Sequence, residues 1–366
     1  MSANLPLVAP HSREHTYCAF CPKLCRFACP VSTVQASETT TPWGKMTSLH
    51  HVVAGNLPMD PDYAQTWYAC TGCMRCKTFC EHGTDVASAL DAARAEAVKT
   101  SKAPASAYDV IERHPERERH AVQRAHELFG DRMTRDGDEV FVPGCTACVL
   151  APEDALASLH AVEALCGGRV RVEAASCCGL PLLEAGDPDG FLRAAGALLE
   201  RLRGSKRVIF QDPGCLHALA KHAPRLGLTH DIDMIHLTQL AAASLGRLTR
   251  IAVEGPVRYH DPCKLGRGMD IYDQPRRVLA GILGRPPGEL DQHRDRSECC
   301  GAGGQLPRTD GEAAAAIARE RIADHELVGG GLLVTACPAC RRALSAQGAT
   351  TADLGALIAR SLGAAE

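Results

Sequence analysis

Glu298-Cys299-Cys300-Gly301-Ala302-Gly303-Gly304 is the stretch from which the rest of this 366-residue chain can be placed. Neighbouring side chains diverge, so two adjacent cysteines fit one small tetrahedral ion poorly, whereas a larger multi-iron cluster can use both. Cys263 stands before the pair and the hook Cys337-Pro338-Ala339-Cys340 after it, which completes a five-thiolate constellation. The glycines let backbone N–H groups approach sulfur, an outer contact that tunes a metal site.

Roughly 120 residues upstream the pattern recurs in reduced form. Cys145 answers Cys263, and Cys177-Cys178-Gly179 answers Cys299-Cys300-Gly301. Asp212-Pro213-Gly214-Cys215 answers the start of the Cys337 hook, with Ala218 set opposite Cys340. The tails match as well, from His236 to Gly246 and from Asp353 to Gly363. A self-similarity of such long period means a duplicated domain and not a solenoid. On this alignment the first copy lacks a ligand; its candidates are Cys145, Cys177, Cys178 and Cys215, while Cys148, His217 and the helix-face Cys166 read first as structural.

Ahead of the duplication lie two runs, Cys18-x2-Cys21-x3-Cys25-x3-Cys29-Pro30 and Cys70-x2-Cys73-x2-Cys76-x3-Cys80. The second has the spacing of a bacterial ferredoxin, in which three close thiolates grip one cubane and the fourth reaches the other cluster. By that rule Cys18, Cys21, Cys25 and Cys80 hold one 4Fe-4S cluster, and Cys70, Cys73, Cys76 and Cys29 the second. The first run carries one extra residue, Lys23 or Leu24, and Glu81 stands where proline is customary.

Nineteen cysteines, an odd number grouped in short spacings with no basic-then-apolar leader ahead of them, predict metal ligation in a reducing compartment, hence the cytoplasm. No apolar run is long enough to span a bilayer, so membrane contact is expected only through a partner. A net charge of −3 with 4% aromatic residues excludes a basic, ring-studded nucleic-acid surface.

The expected organisation is α+β and multidomain. It runs as a flexible arm (1–17), a helical two-cluster ferredoxin-like domain (18–100), a charged helical connector (101–138) and two α/β cysteine-rich domains (139–249 and 250–366). Strands are expected at 139–142, 169–172, 207–210, 257–260 and 332–335, alternating with helices as in a parallel sheet. Helices are expected from Trp43 to a stop at Gly55, over Val86–Lys99, and from Pro188 to Arg203 behind an Asp187 cap. Cys145, Cys215, Cys263 and Cys337 then follow strand ends, where ligands collect in open α/β sheets.

Paired ferredoxin runs followed by two domains of the Cys-x(n)-Cys-Cys-Gly-x(n)-Cys-x2-Cys type resemble the heterodisulfide-reductase-related iron–sulfur proteins, in which these are called CCG domains. That group includes iron–sulfur subunits of glycolate oxidase, lactate utilisation and anaerobic glycerol-3-phosphate dehydrogenase systems. The resemblance implies an electron-transfer subunit working with a flavoprotein dehydrogenase or another redox subunit. It also implies an additional cluster, a noncubane 4Fe-4S in complete members, on Cys263, Cys299, Cys300, Cys337 and Cys340. Two other readings stay open: disulfide reduction at that cluster, and zinc on Cys263, Cys337, Cys340 and one of the pair, in a redox scaffold or sensor.

Overall fold

The structure is a computed structural model and describes residues 5–134 and 136–364. The chain forms two compact units. One takes residues up to His114 together with Pro181–Phe191 and Asp295–Arg321; the other takes Pro115–Leu180, Leu192–Arg294 and the chain from Ile322 on.

The first unit is helical. Its main helices are Ser12–Ala19, Pro42–Val53, Pro61–Tyr68 and Val86–Lys99. Three begin on a side-chain cap: the Gly44 N–H donates to Thr41 Oγ1 (3.0 Å), the Tyr63 N–H to Asp60 Oδ1 (3.1 Å) and the Ser88 N–H to Asp85 Oδ1 (3.1 Å). Pro42 and Pro61 fill first-turn positions, where no amide hydrogen is needed. Met46, Leu49, Trp67, Tyr68, Leu90 and Ala93 close the core.

The described part of the expected flexible arm is ordered. Leu5 and Val8 are buried against this core, Ala9–His11 and Ser12–Ala19 are helical, and the Leu7 N–H donates to Glu96 Oε1 (2.7 Å). Two apolar residues three apart suffice to dock the segment, although its prolines suggested none; residues 1–4 lie outside the described residues.

The second unit holds two parallel sheets. Strands β1 (Glu139–Val142), β2 (Arg171–Val172), β3 (Arg207–Phe210) and β4 (Met234–His236) are ordered β2-β1-β3-β4. Strands β5 (Val257–His260), β6 (Leu332–Thr335) and β7 (Thr351–Asp353) are ordered β5-β6-β7. Val140, Phe141, Val208 and Ile209 are buried, as in sheets covered on both faces. Helices Pro152–Cys166, Leu237–Ala242, Asp273–Leu283 and Leu354–Ser361 share one apolar core.

The duplication is visible in matching parts: β1, β3 and β4 answer β5, β6 and β7. The last strand of each copy was not expected, and it is three residues long, ending on the residue that caps the next helix. His236 Nδ1 accepts from the Thr238 N–H (3.2 Å) and Asp353 Oδ1 from the Gly355 N–H (2.8 Å). No helix among the described residues is long and apolar enough to cross a membrane.

Candidate metal centres

In the helical unit the two cysteine runs interleave. Cys29, Cys70, Cys73 and Cys76 line one cavity with Lys45, Thr71, Met74 and Val86. Gly72 (φ 62°) and Met74 (φ 62°) put left-handed turns between the three close cysteines, bending the backbone so that all their thiols face inward. The Gly72 N–H donates to Cys70 Sγ (3.4 Å). The Cys76 thiol is held far above its usual range by burial, then by Cys73, Cys70 and Cys29 beside it.

Cys18, Cys21, Cys25 and Cys80 make a second group. Burial pushes the Cys18 thiol up to about 12, aided by Cys25, Cys80 and Cys21, and the Cys25 thiol up to about 11, aided by Cys80 and Cys21. Cys80 differs: burial raises it, but hydrogen bonds from Thr84, His82 and Gly83 outweigh burial and bring it below its ordinary value. Lys23, at φ 66° with its ammonium 4.0 Å from the Trp43 ring centre, absorbs the extra residue of the first run. Phe20, Leu24 and Phe27 in this run are exposed.

Thiols that repel one another's ionisation lose that penalty when a soft cation takes their protons' place. Both quartets therefore fit a thiolate-bound cluster, four sulfurs apiece in short bent segments. The grouping draws Cys29 away from its own run and Cys80 away from its own.

In the second unit the first cysteine-rich domain brings four thiols together, Cys145 beside Cys177, Cys177 beside Cys178 and Cys178 beside Cys215. Contact with the Cys177 thiol, then burial, holds the Cys145 thiol far above its usual range. Cys148 lies beside it, pushed up to about 12 by burial and then by Cys145. Gly144, at φ 86°, makes the approach: a Cβ there would sit 2.8 Å from Asp212 Cβ and 3.4 Å from Cys215 Sγ.

The hook alignment of this domain needs correction. β3 ends at Phe210 and its helix opens with Pro213; β6 ends at Thr335 and its helix opens with Pro338. Asp212 therefore stands in the place of Cys337, and Cys215, not Ala218, in the place of Cys340. Strand ends fix the register, and the shared proline marks it. What the first copy has lost is the first hook thiol, and a carboxylate stands there instead, accepting from the Gly214 N–H at 2.7 Å.

In the second copy Cys263 follows β5, and Cys337 caps the Pro338–Ser345 helix that carries Cys340. Cys299 and Cys300 belong to the segment that packs in the helical unit, where the Gly301 N–H donates to Cys299 Sγ (3.3 Å) just as the Gly179 N–H donates to Cys177 Sγ (3.4 Å). The turn leading to Cys263 is clamped: Arg276 donates to both Asp261 oxygens (2.7 and 2.8 Å) and both Glu289 oxygens (2.6 and 2.8 Å), and the Arg294 N–H adds a bond to Asp261 (2.8 Å). Burial alone would raise the Asp261 carboxyl, but the guanidinium holds it below the usual carboxylate range.

A 4Fe-4S dicluster domain matches residues 14–84, and a cysteine-rich domain matches twice, at 140–220 and 257–345. One component of the dihydromethanophenazine:CoB–CoM heterodisulfide reductase of Methanosarcina barkeri is 31% identical over 300 residues, covering 76% of this chain and 72% of that one. The chain belongs to the heterodisulfide-reductase-related iron–sulfur proteins. Other relatives of this iron–sulfur protein are a component of the fumarate reductase (CoM/CoB) of Methanothermobacter marburgensis and the EtfAB:quinone oxidoreductase of Syntrophomonas wolfei. The first is 26% identical over 75% of this chain and 56% of its own length, the second 28% over 45% and 24%.

Two participants escaped the sequence reading. Lys45 sits in a helix like any surface lysine, yet it is 1% exposed and points its ammonium at Cys29 Sγ (3.4 Å). Arg94, also 1% exposed, donates to the carbonyls of Trp67 (3.0 Å), Cys70 (2.9 Å), Glu184 (2.9 Å) and Gly304 (3.4 Å). The available signal was the absence of any acidic residue three or four positions from Lys45.

Proposed function

We propose that this chain is the iron–sulfur relay of an oxidoreductase, passing single electrons through two 4Fe-4S clusters to or from a third cluster in the second cysteine-rich domain. Cys18, Cys21, Cys25 and Cys80 hold the first; Cys29, Cys70, Cys73 and Cys76 hold the second. Cys263, Cys299, Cys300, Cys337 and Cys340 hold the third. The observation that carries this reading is the cavity at which Cys29 joins three cysteines of the other run. Each cluster supplies one-electron redox chemistry; the chain's residues supply the sulfurs, shield them from water and aim N–H groups at them, as Gly72 and Gly301 do. The Cys145, Cys177, Cys178 and Cys215 quartet is a further thiolate site, with Asp212 at its fifth position.

Electrons enter from a flavoprotein. The sequence has no G-x-G-x-x-G dinucleotide fingerprint of its own, and a hydride's two electrons need a flavin to divide them before one-electron centres can take them. Relatives named as components of larger reductases support a partnered role; the place proposed for it is the cytoplasm, with any membrane reached through the partner. Purified anaerobically and alone, the chain is expected to bind iron in preference to zinc, to be reduced by dithionite, and to stay oxidised with NADH or NADPH. Rapid reduction by either nucleotide without flavin, or zinc as the main metal, would overturn the reading.

Likeness to a component of a heterodisulfide reductase favours a second reading, in which the third cluster itself opens a disulfide. Disulfide turnover by the isolated chain with an artificial one-electron donor would establish it, and none is expected from a relay.

A further inference from the structure

We propose that Lys45 sets the redox potential of the cluster site formed by Cys29, Cys70, Cys73 and Cys76, making this enclosed site the electron sink of the pair. The inference rests on the two-cluster reading above. Lys45 lies on the Pro42–Val53 helix, lines the same cavity as the four thiols, and has its ammonium 3.4 Å from Cys29 Sγ. Among the described residues it has no carboxylate partner; its one polar side-chain contact is sulfur.

A buried ammonium with no anion beside it is costly. The cost is relieved when the cavity holds negative charge, which four neutral thiols do not supply and four metal-bound thiolates do. Lys45 is thus fitted to an anionic occupant. Taking up one electron makes that occupant more negative, and a fixed positive charge in a poorly screened interior favours the more negative state. The Arg94 guanidinium acts on Cys70 in the same sense as Lys45, each easing ionisation of that thiol.

The other quartet is built differently. The groups acting most strongly on Cys18 and Cys25 are burial and neighbouring thiols, with no cation among them, and all four of its cysteines are half-exposed, whereas in the inner set Cys29 and Cys73 are buried and only Cys70 and Cys76 are half-exposed. Water is what stabilises added charge there. Burial by itself would make the enclosed site the harder one to reduce; the lysine reverses that order, so an electron reaching the outer quartet from a reduced flavin moves inward.

The test is an anaerobic redox titration of the full-length chain followed by electron paramagnetic resonance, with the outer cluster identified as the signal lost in Cys18→Ala. In the native chain the inner cluster should titrate at the higher potential. Lys45→Met removes charge and hydrogen bond, and Lys45→Gln keeps a donor without charge. Both should disfavour reduction of the inner cluster at least tenfold, which is about 59 mV for one electron, and leave the outer cluster unmoved. Lys45→Arg should restore most of the difference. An unchanged inner potential, an equal shift of both clusters, or loss of the inner iron in both neutral variants would overturn the role assigned to Lys45. Native protein lacking iron at the inner site would instead sink the two-cluster reading beneath it.

Discussion

Replacing Arg94 with methionine should weaken the helical unit more than any surface change could. The side chain is 1% exposed and three of its bonds, to Trp67, Cys70 and Glu184, are 3.0, 2.9 and 2.9 Å long. Hydrogen bonds from a charged donor contribute about 1.5–3 kcal/mol each, so the simple sum is about 5–9 kcal/mol. Methionine also removes the penalty of burying a guanidinium, which brings the expected loss to about 3–5 kcal/mol, the range for breaking a buried charged network. In a unit of this size that is roughly a 10 °C fall in melting temperature. Both tryptophans, Trp43 and Trp67, lie in this unit, so their emission reports its unfolding, and bleaching of the visible iron–sulfur absorption gives an independent readout. Lysine at 94 keeps the charge but loses the planar fork and should recover only part of the loss. A methionine variant within about 1 kcal/mol of native would refute the account of Arg94 as the tie between these loops.

Burial, then the nearby Asp154, raises the Asp353 carboxyl from 3.8 to about 7. Its contribution to stability is present below the unfolded value and lost as pH rises through about 7, a swing of at most about 4 kcal/mol. Asp353→Asn keeps a helix cap and should flatten this dependence; denaturant midpoints at pH 5 and pH 8 that still differ as in the native chain would count against it. Cys178→Ser removes one of the four clustered thiols and should lower total bound metal while leaving the paramagnetic signals of the helical unit intact, whereas an unchanged metal content would make that quartet structural only. Gly144→Ala forces a Cβ onto Asp212 at a positive φ and should cost roughly 1–3 kcal/mol; a neutral thermal shift would argue against the close approach at Gly144.

The cysteine runs were legible because ligand spacing is a local property: two intervening residues turn thiols to one centre whatever surrounds them. Strands β1, β3, β5 and β6 were legible as short apolar runs next to turn residues. Met234–His236 and Thr351–Asp353 were not, since three residues give no periodicity and the last of each doubles as a cap. The hook register slipped for a related reason. Matching cysteine to cysteine was tempting, but the backbone aligns by strand end and proline, which places Asp212 where a thiol had been. Lys45 and Arg94 were illegible because helical spacing says which face a residue is on and not what packs over it. Leu5 and Val8 were overlooked because their neighbourhood of prolines resembles a tail, and only the helical core beside them shows otherwise.

The discontinuous make-up of the helical unit has a consequence for biosynthesis. The carbonyl of Gly304 meets Arg94, Glu298 pairs with Arg75 at 3.1 Å, and Asp310 accepts from Gln35 at 2.7 Å. Translation has passed both ferredoxin-type runs by Cys80, yet the segment that seals them begins only at Asp295. Domains usually mature in the order of their translation; here the ferredoxin-type cysteines wait for a segment that is made well after them. A product terminated before Asp295 therefore leaves its cysteine loops uncapped, open to oxygen and proteases.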